Sequence, residues 1–241
     1  MGEMLRRGQL PGAAASGEVV PLDSVRLLPP VFDPGKIVCL GLNYRSHAEE
    51  AGMEPPAVPT FFAKWTNALV AAGEDVALPS WSARVDYEAE VAFVVGRRCK
   101  DVPESEALDA IAGYTLLNDL SARDYQFKTP QWMPGKVFDG SAPCGPALVT
   151  PDEAGPPDAI EISLTLNGSV MQSASTADLI HSIPEVVAYL SKLMTLEPGD
   201  LISTGTPAGV GSTRDPHVWL KAGDEVVIES PTLGRLETRL V

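Results

Sequence analysis

The run Asp86-Tyr87-Glu88-Ala89-Glu90 leads without a break into Val91-Ala92-Phe93-Val94-Val95, and that join restricts the fold more than any other stretch of the chain. A strand alternates its side chains with a period of two, so Glu88 and Glu90 share one face. Two neighbouring carboxylates repel, and at the mouth of an apolar strand the repulsion is costly unless a cation lies between them. Hard oxygen ligands favour Mg²⁺, Mn²⁺ or Ca²⁺ over zinc. The alternative is a solvated face on an edge strand, so the pair needs a third ligand. Asp119 ends the apolar stretch Gly113-Tyr114-Thr115-Leu116-Leu117-Asn118. There it either points into a cleft as that ligand or caps a helix.

The charge balance sharpens this reading. With 18 Lys+Arg against 32 Asp+Glu in 241 residues, the formal charge is -14, a field that repels a nucleic-acid backbone and an anionic bilayer alike. Neither nucleic acid nor membrane is expected as a partner. A small anionic substrate must instead be drawn in by a local cation, a metal or placed Lys and Arg side chains. The cysteines at 39, 99 and 144 are odd in number, far apart and without a CxxC pair, so neither disulfides nor a thiolate zinc site is expected. With no signal-peptide core in the sequence and no run long enough to span a bilayer, the expected compartment is the cytoplasm.

Residues 1 to 35 are rich in Gly, Ala and Pro and read as a loosely packed arm, with the main domain at 36–241. Strands are predicted at 37–42, 89–95, 114–117, 147–150, 160–166, 201–203 and 225–229. Residues 44–51 suggest a short helix ending at Gly52, and 52–60 a mobile loop. The clearest helix is 183–193, with Pro184 in its first turn and Val186, Val187, Leu190 and Leu193 at helical spacing; 108–112 is a second candidate. Strands outnumber helices without regular alternation, which points to a mainly β, α+β architecture.

Three further groups carry chemistry. His47 and Glu50 are three residues apart, so on a helix the carboxylate orients the imidazole and makes it a better base, or the two form a surface pair. Arg123, Gln126 and Lys136 follow Asp119, with Met133-Pro134-Gly135 as a turn presenting the lysine. Ser203 to Gly211 is a glycine-rich loop able to lend N–H groups and hydroxyls to an anion, or a plain turn; it lacks the phosphate-binding spacings. His181 and His217 read as structural or exposed. No GxSxG elbow is present.

Taken in order, G-L-N-Y-R-S-H-A-E-E, D-Y-E-A-E-V-A, N-D-L-S-A-R-D-Y-Q, G-K-V-F-D-G-S-A-P-C-G-P and I-S-T-G-T-P-A-G-V-G, with L-x-L-N-G at 164–168, resemble the fumarylacetoacetate hydrolase family from about Lys36 to the C-terminus. The resemblance implies a mixed β-sandwich roll or barrel with few helices, a homodimer, and Mg²⁺ or Mn²⁺ (Ca²⁺ as a further option) held by Glu88, Glu90 and Asp119. It implies a catalytic His47–Glu50 dyad on a lid, with Lys136 beside it. Arg123, Gln126, Thr206 and, more loosely, Tyr44 match positions around the substrate, a small 2-oxo acid. Two positions depart from the family pattern: Cys144 replaces a bulky apolar residue and His181 an aromatic. With about 35 residues ahead of the G-x-N-Y motif, the resemblance also implies a reduced N-terminal subdomain. Of the reactions such a site supports, C–C hydrolysis of an acylpyruvate ranks first because a His–Glu dyad suits water activation. Oxaloacetate decarboxylation and isomerisation of a 2-hydroxy-dienedioate are the alternatives.

Overall fold

The computed structural model describes residues 2–7, 21 and 24–241. Part of the arm expected at 1–35, namely residues 1, 8–20, 22 and 23, lies outside the described residues. In chain order the elements are α1 (Gly2–Arg6), β1 (Ile37–Gly41), α2 (Arg45–Glu50), β2 (Thr60–Lys64), β3 (Leu69–Ala71), β4 (Asp75–Val76), β5 (Val85–Asp86), β6 (Ala89–Val95), α3 (Glu104–Ala107), β7 (Ile111–Asn118), β8 (Ser121–Ala122), α4 (Arg123–Gln126), β9 (Ala142–Val149), α5 (Pro151–Ala154), β10 (Glu161–Leu166), β11 (Ser169–Ser175), α6 (Ile183–Leu193), β12 (Leu201–Ser203), β13 (Glu225–Ser230) and β14 (Gly234–Leu240).

Seven strands form one mixed sheet in the order β2-β1-β12-β6-β7-β9-β3, five form a second in the order β11-β10-β13-β14-β4, and β5 pairs with β8. The mainly β, α+β expectation holds. β6 lies between β12 and β7, and all seven of its residues are buried. Its two faces serve two cores. Val91, Phe93 and Val95 enter the core shared with Leu164, Ile228 and Leu190. Ala92 and Val94 enter a second core with Cys39, Phe62, Leu117 and Leu5 of α1. A near-continuous apolar run is what a strand covered on both sides requires.

α6 spans the predicted residues; the Ser182 hydroxyl accepts from Glu185 N–H, Pro184 occupies the first turn, and Val186, Val187 and Leu190 are buried. The helix expected at 108–112 is displaced. α3 precedes it, a 3₁₀ turn covers Leu108–Ala110, and Ile111 already belongs to β7. Pro103 and the acids Glu104 and Glu106 suit a helix start, while β-branched Ile111 packs in the sheet. β14 adds a strand beyond those predicted and alternates plainly, with Leu236, Thr238 and Leu240 buried and Arg235 and Arg239 exposed. No helix among the described residues is long and apolar enough to cross a membrane.

Candidate metal and proton-transfer site

Glu88 and Glu90 keep the parity of Ala92 and Val94, and Asp119 continues that of Leu117 on β7. One side-chain oxygen from each of the three acids falls within 4.8 Å of the others. The backbone locks this arrangement: Asp119 N–H donates to Glu88 O at 2.9 Å, and Asn118 Oδ1 accepts from Glu88 N–H at 3.1 Å. All three acids are buried, which rules out the solvated-edge alternative.

Three buried cations attend them. Lys136 Nζ lies 2.6 Å from Glu88 and 2.7 Å from Asp119, Arg123 Nη2 lies 2.6 Å from Glu88, and Lys64 Nζ lies 2.5 Å from Asp119. Gly135 lets Lys136 come in, since a Cβ there would sit 2.5 Å from Ala122 O. Burial would raise Glu88, but the Arg123 and Lys136 charges outweigh it and hold the carboxyl far below its ordinary range. Glu90 goes the other way. Burial, then the nearby Asp119 and Glu88 charges, push it well up, against Lys136 and a hydrogen bond from the Ser203 hydroxyl. Among the described residues Glu90 forms no direct ion pair; its other donor is Gly205 N–H at 3.3 Å. A buried set of hard oxygens with one carboxylate short of positive charge fits a small divalent cation.

Across the cavity stands α2. Its start is tied down by Asp178, which accepts from Ser46 N–H at 3.0 Å and from the Ser46 hydroxyl at 2.5 Å. His47 Nδ1 lies 3.5 Å from Glu50 Oε2. Gly209 N–H donates to both oxygens of Glu50 at 3.0 Å. Burial opposes ionisation of Glu50, yet His47, Gly209 N–H and the Thr213 hydroxyl together hold its carboxyl below the usual value. The glycine-rich loop thus serves the protein's own carboxylates, Glu50 and Glu90. Gly209 has φ +102°, and a Cβ there would fall 2.1 Å from Met171 O.

Residues 51–59 lead from α2 to β2 over the cavity. His181 holds this segment: Nδ1 lies 2.7 Å from Glu185 Oε1 and Nε2 lies 3.0 Å from Pro56 O. It is buried and structural.

His47, Glu88, Glu90, Arg123, Gln126, Lys136 and Thr206 line a single cavity of about 230 Å³. The Gln126 side-chain oxygen accepts from Arg123 Nη1 at 2.9 Å, and the Thr206 hydroxyl donates to Ala89 O at 3.0 Å. Tyr44 stands apart: it is fully buried in the core between the sheets and does not line the cavity. Met53, Phe62, Phe127 and Trp132 form an apolar wall. Trp132 covers Gly41 so closely that a Cβ at that position would lie 2.0 Å from its ring.

Sequence reasoning passed over Lys64, Asp86 and Trp132. A lysine ending the aromatic run Thr60-Phe61-Phe62-Ala63 was the available signal for Lys64; Trp132, in a loop, gave none.

The family model for the fumarylacetoacetate hydrolase C-terminal domain matches residues 36–241. The mitochondrial oxaloacetate tautomerase FAHD2A of Bos taurus is 42% identical over 225 residues, covering 92% of this chain and 72% of its own. Among solved structures, 5-carboxymethyl-2-hydroxymuconate delta-isomerase from Mycobacterium smegmatis superposes with TM-score 0.83 at 41% identity, over 94% of this chain and 86% of that one. Fumarylpyruvate hydrolase from Pseudomonas aeruginosa, solved with Mn²⁺ and pyruvate, does so with TM-score 0.79 at 35% identity, over 86% and 90%. The cytoplasmic expectation is overturned by curated relatives such as the oxaloacetate tautomerases of Rattus norvegicus, Bos taurus and Homo sapiens, whose names place them in mitochondria. Cysteine usage separates reducing from oxidising surroundings and does not tell one reducing compartment from another. With a model match that spans the whole main domain and relatives this similar, the chain belongs to the fumarylacetoacetate hydrolase family.

Proposed function

We propose that this protein is a tautomerase of small 2-oxo dicarboxylic acids of the oxaloacetate type, moving a proton between C3 and the 2-oxo oxygen. One observation carries the reading: His47, backed by Glu50, lines the same cavity as the buried Glu88, Glu90, Arg123 and Lys136. The names of the curated relatives support it. They favour an isomerising reaction over the C–C hydrolysis that the dyad alone ranked first, because an oriented imidazole serves proton transfer to carbon as well as it serves water.

Arg123 and Lys136 bring positive charge to a substrate carboxylate. Because Nδ1 of His47 faces Glu50, Nε2 is the nitrogen left for substrate, and it takes the C3 proton of the keto form. The imidazolium then returns that proton to the 2-oxo oxygen, so His47 ends neutral and no water is consumed. Mg²⁺ or Mn²⁺ held by Glu88, Glu90 and Asp119 would supply positive charge beside the oxygen on which negative charge develops.

The test follows the decay of enol-oxaloacetate with Mg²⁺, with Mn²⁺ and with chelator, beside an acylpyruvate and a 2-hydroxy-dienedioate. Acceleration of the enol-to-keto step that chelator removes is expected. A second reading, hydrolysis of an acylpyruvate, is favoured by the apolar side chains of Phe62, Phe127 and Trp132 in the cavity lining, which suit an acyl tail that oxaloacetate lacks. Rapid acylpyruvate cleavage with no effect on the enol would select it.

A further inference from the structure

Asp86 closes β5 and is completely buried, yet proton transfer gives it no direct part. Antiparallel pairing with β8 sets it opposite Ser121, two residues before Arg123. Its oxygens are surrounded by donors. Oδ1 accepts from Tyr87 N–H at 2.9 Å and Gly211 N–H at 2.7 Å. Oδ2 accepts from Ser212 N–H at 3.0 Å and Arg123 Nε at 2.8 Å, and Arg123 Nη2 is also 2.8 Å away. A carboxylate so occupied has little freedom to turn. Gly211 is required for this approach, since a Cβ there would lie 2.0 Å from Val218 O and 2.7 Å from Asp86 Oδ1.

The same turn carries the seat of the dyad. Two residues before Gly211, Gly209 N–H holds both oxygens of Glu50, and Gly209 O accepts from the Tyr87 hydroxyl at 3.1 Å. One anion therefore grips Arg123 on the carboxylate-cluster side and the 209–212 turn on the dyad side.

We propose that Asp86 is a positioning residue that sets the His47–Glu50 pair in register with the carboxylate cluster by fixing the turn on which Glu50 rests. The inference rests on the reading of that pair as the proton-transfer group. Small misplacements of such a pair lower turnover steeply while leaving binding nearly intact.

Asp86→Asn keeps the volume and one acceptor but turns an amide donor toward existing donors. Arg123 retains Glu88 and Gln126 as partners. The experiment compares wild type, Asp86→Asn, Glu50→Ala and the double variant, reading kcat and KM for oxaloacetate tautomerisation with Mn²⁺, Mn²⁺ affinity, and amide exchange at residues 45–52 and 209–212. For Asp86→Asn, kcat falls about tenfold or more, KM and Mn²⁺ affinity shift by less than about threefold, and exchange in both segments speeds up. In the Glu50→Ala background the same substitution costs less than about twofold further, as expected of residues acting in one chain of contacts. Unchanged kcat, an equal loss in both backgrounds, or unchanged exchange overturns the proposal. A wild type inactive on oxaloacetate removes the tautomerase reading alone; the exchange comparison then decides on Asp86, faster exchange supporting it and unchanged exchange refuting it.

Discussion

The ammonium of Lys64 lies 2.5 Å from Asp119 Oδ1, and neither side chain is exposed to solvent. Removing one partner of a buried pair leaves the other charge uncompensated, at a cost of about 3–5 kcal/mol. Lys136 still reaches Asp119, so Lys64→Met is expected to lose stability near the lower end of that range in urea unfolding. Saturating Mn²⁺ should restore part of it by binding the folded state. A loss below about 1 kcal/mol would mean the pair contributes nothing net.

Glu90 behaves oppositely. Its raised proton affinity, caused by burial and then by Asp119 and Glu88, means that the folded state holds a proton the unfolded state releases. That contribution is fully present below the ordinary carboxylate range, about pH 4.3, and is lost as pH rises toward the folded value. Glu90→Gln should therefore raise the melting temperature of metal-free protein at neutral pH, by about 2–4 °C for each kcal/mol relieved. The gain should vanish below about pH 4. The same substitution should abolish Mn²⁺ binding in calorimetry. A variant less stable than wild type at neutral pH would contradict the origin assigned to the shift.

For His47→Ala, kcat is expected to fall by about 10²–10⁴, the usual contribution of a positioned acid or base. Mn²⁺ affinity and inhibition by oxalate should stay near wild type, because the carboxylates and cations occupy the opposite wall. Loss of oxalate binding together with kcat would assign His47 to substrate binding.

His181→Phe removes the contact to Pro56 O, together with that to Glu185, while filling similar space. Amide exchange across 52–59 should accelerate, with little change in the sheets, because losing one hydrogen bond of about 1–3 kcal/mol opens a local segment and leaves the fold intact. Equal exchange in both proteins would show that the segment is held by its other contacts.

Much of the site was legible because strand parity and helix spacing are local rules. Glu88 and Glu90 had to share a face once 89–95 was a strand, and His47 and Glu50 had to meet once 45–50 was a helix. α6 was readable for the same reason, and β6 and β12 because a short unbroken apolar run marks a strand buried on both faces. What escaped depends on distant pairing. Lys64 meets Asp119 across 55 positions, and Asp86 meets Gly211 across 125. Trp132 acquires its place from Gly41, which no periodicity reports. Tyr44 lay beside the dyad in sequence, but its side chain turned into the core, because neighbours on a chain need not face the same way.

The burial of β6 on both faces also bears on how such a protein diversifies. Glu90 hangs from a strand whose every residue is packed, and Glu88 stands one residue before it, so shifting either ligand would disturb two cores at once. Of the four side chains in the apolar wall, Phe62 belongs to β2, while Met53, Phe127 and Trp132 lie outside the strands. Met53 and Phe127 are exposed, and substitution at those two carries little structural penalty. New substrates are thus reachable by altering loops over an inherited ion-holding floor, and a change of the floor itself is closed to stepwise mutation.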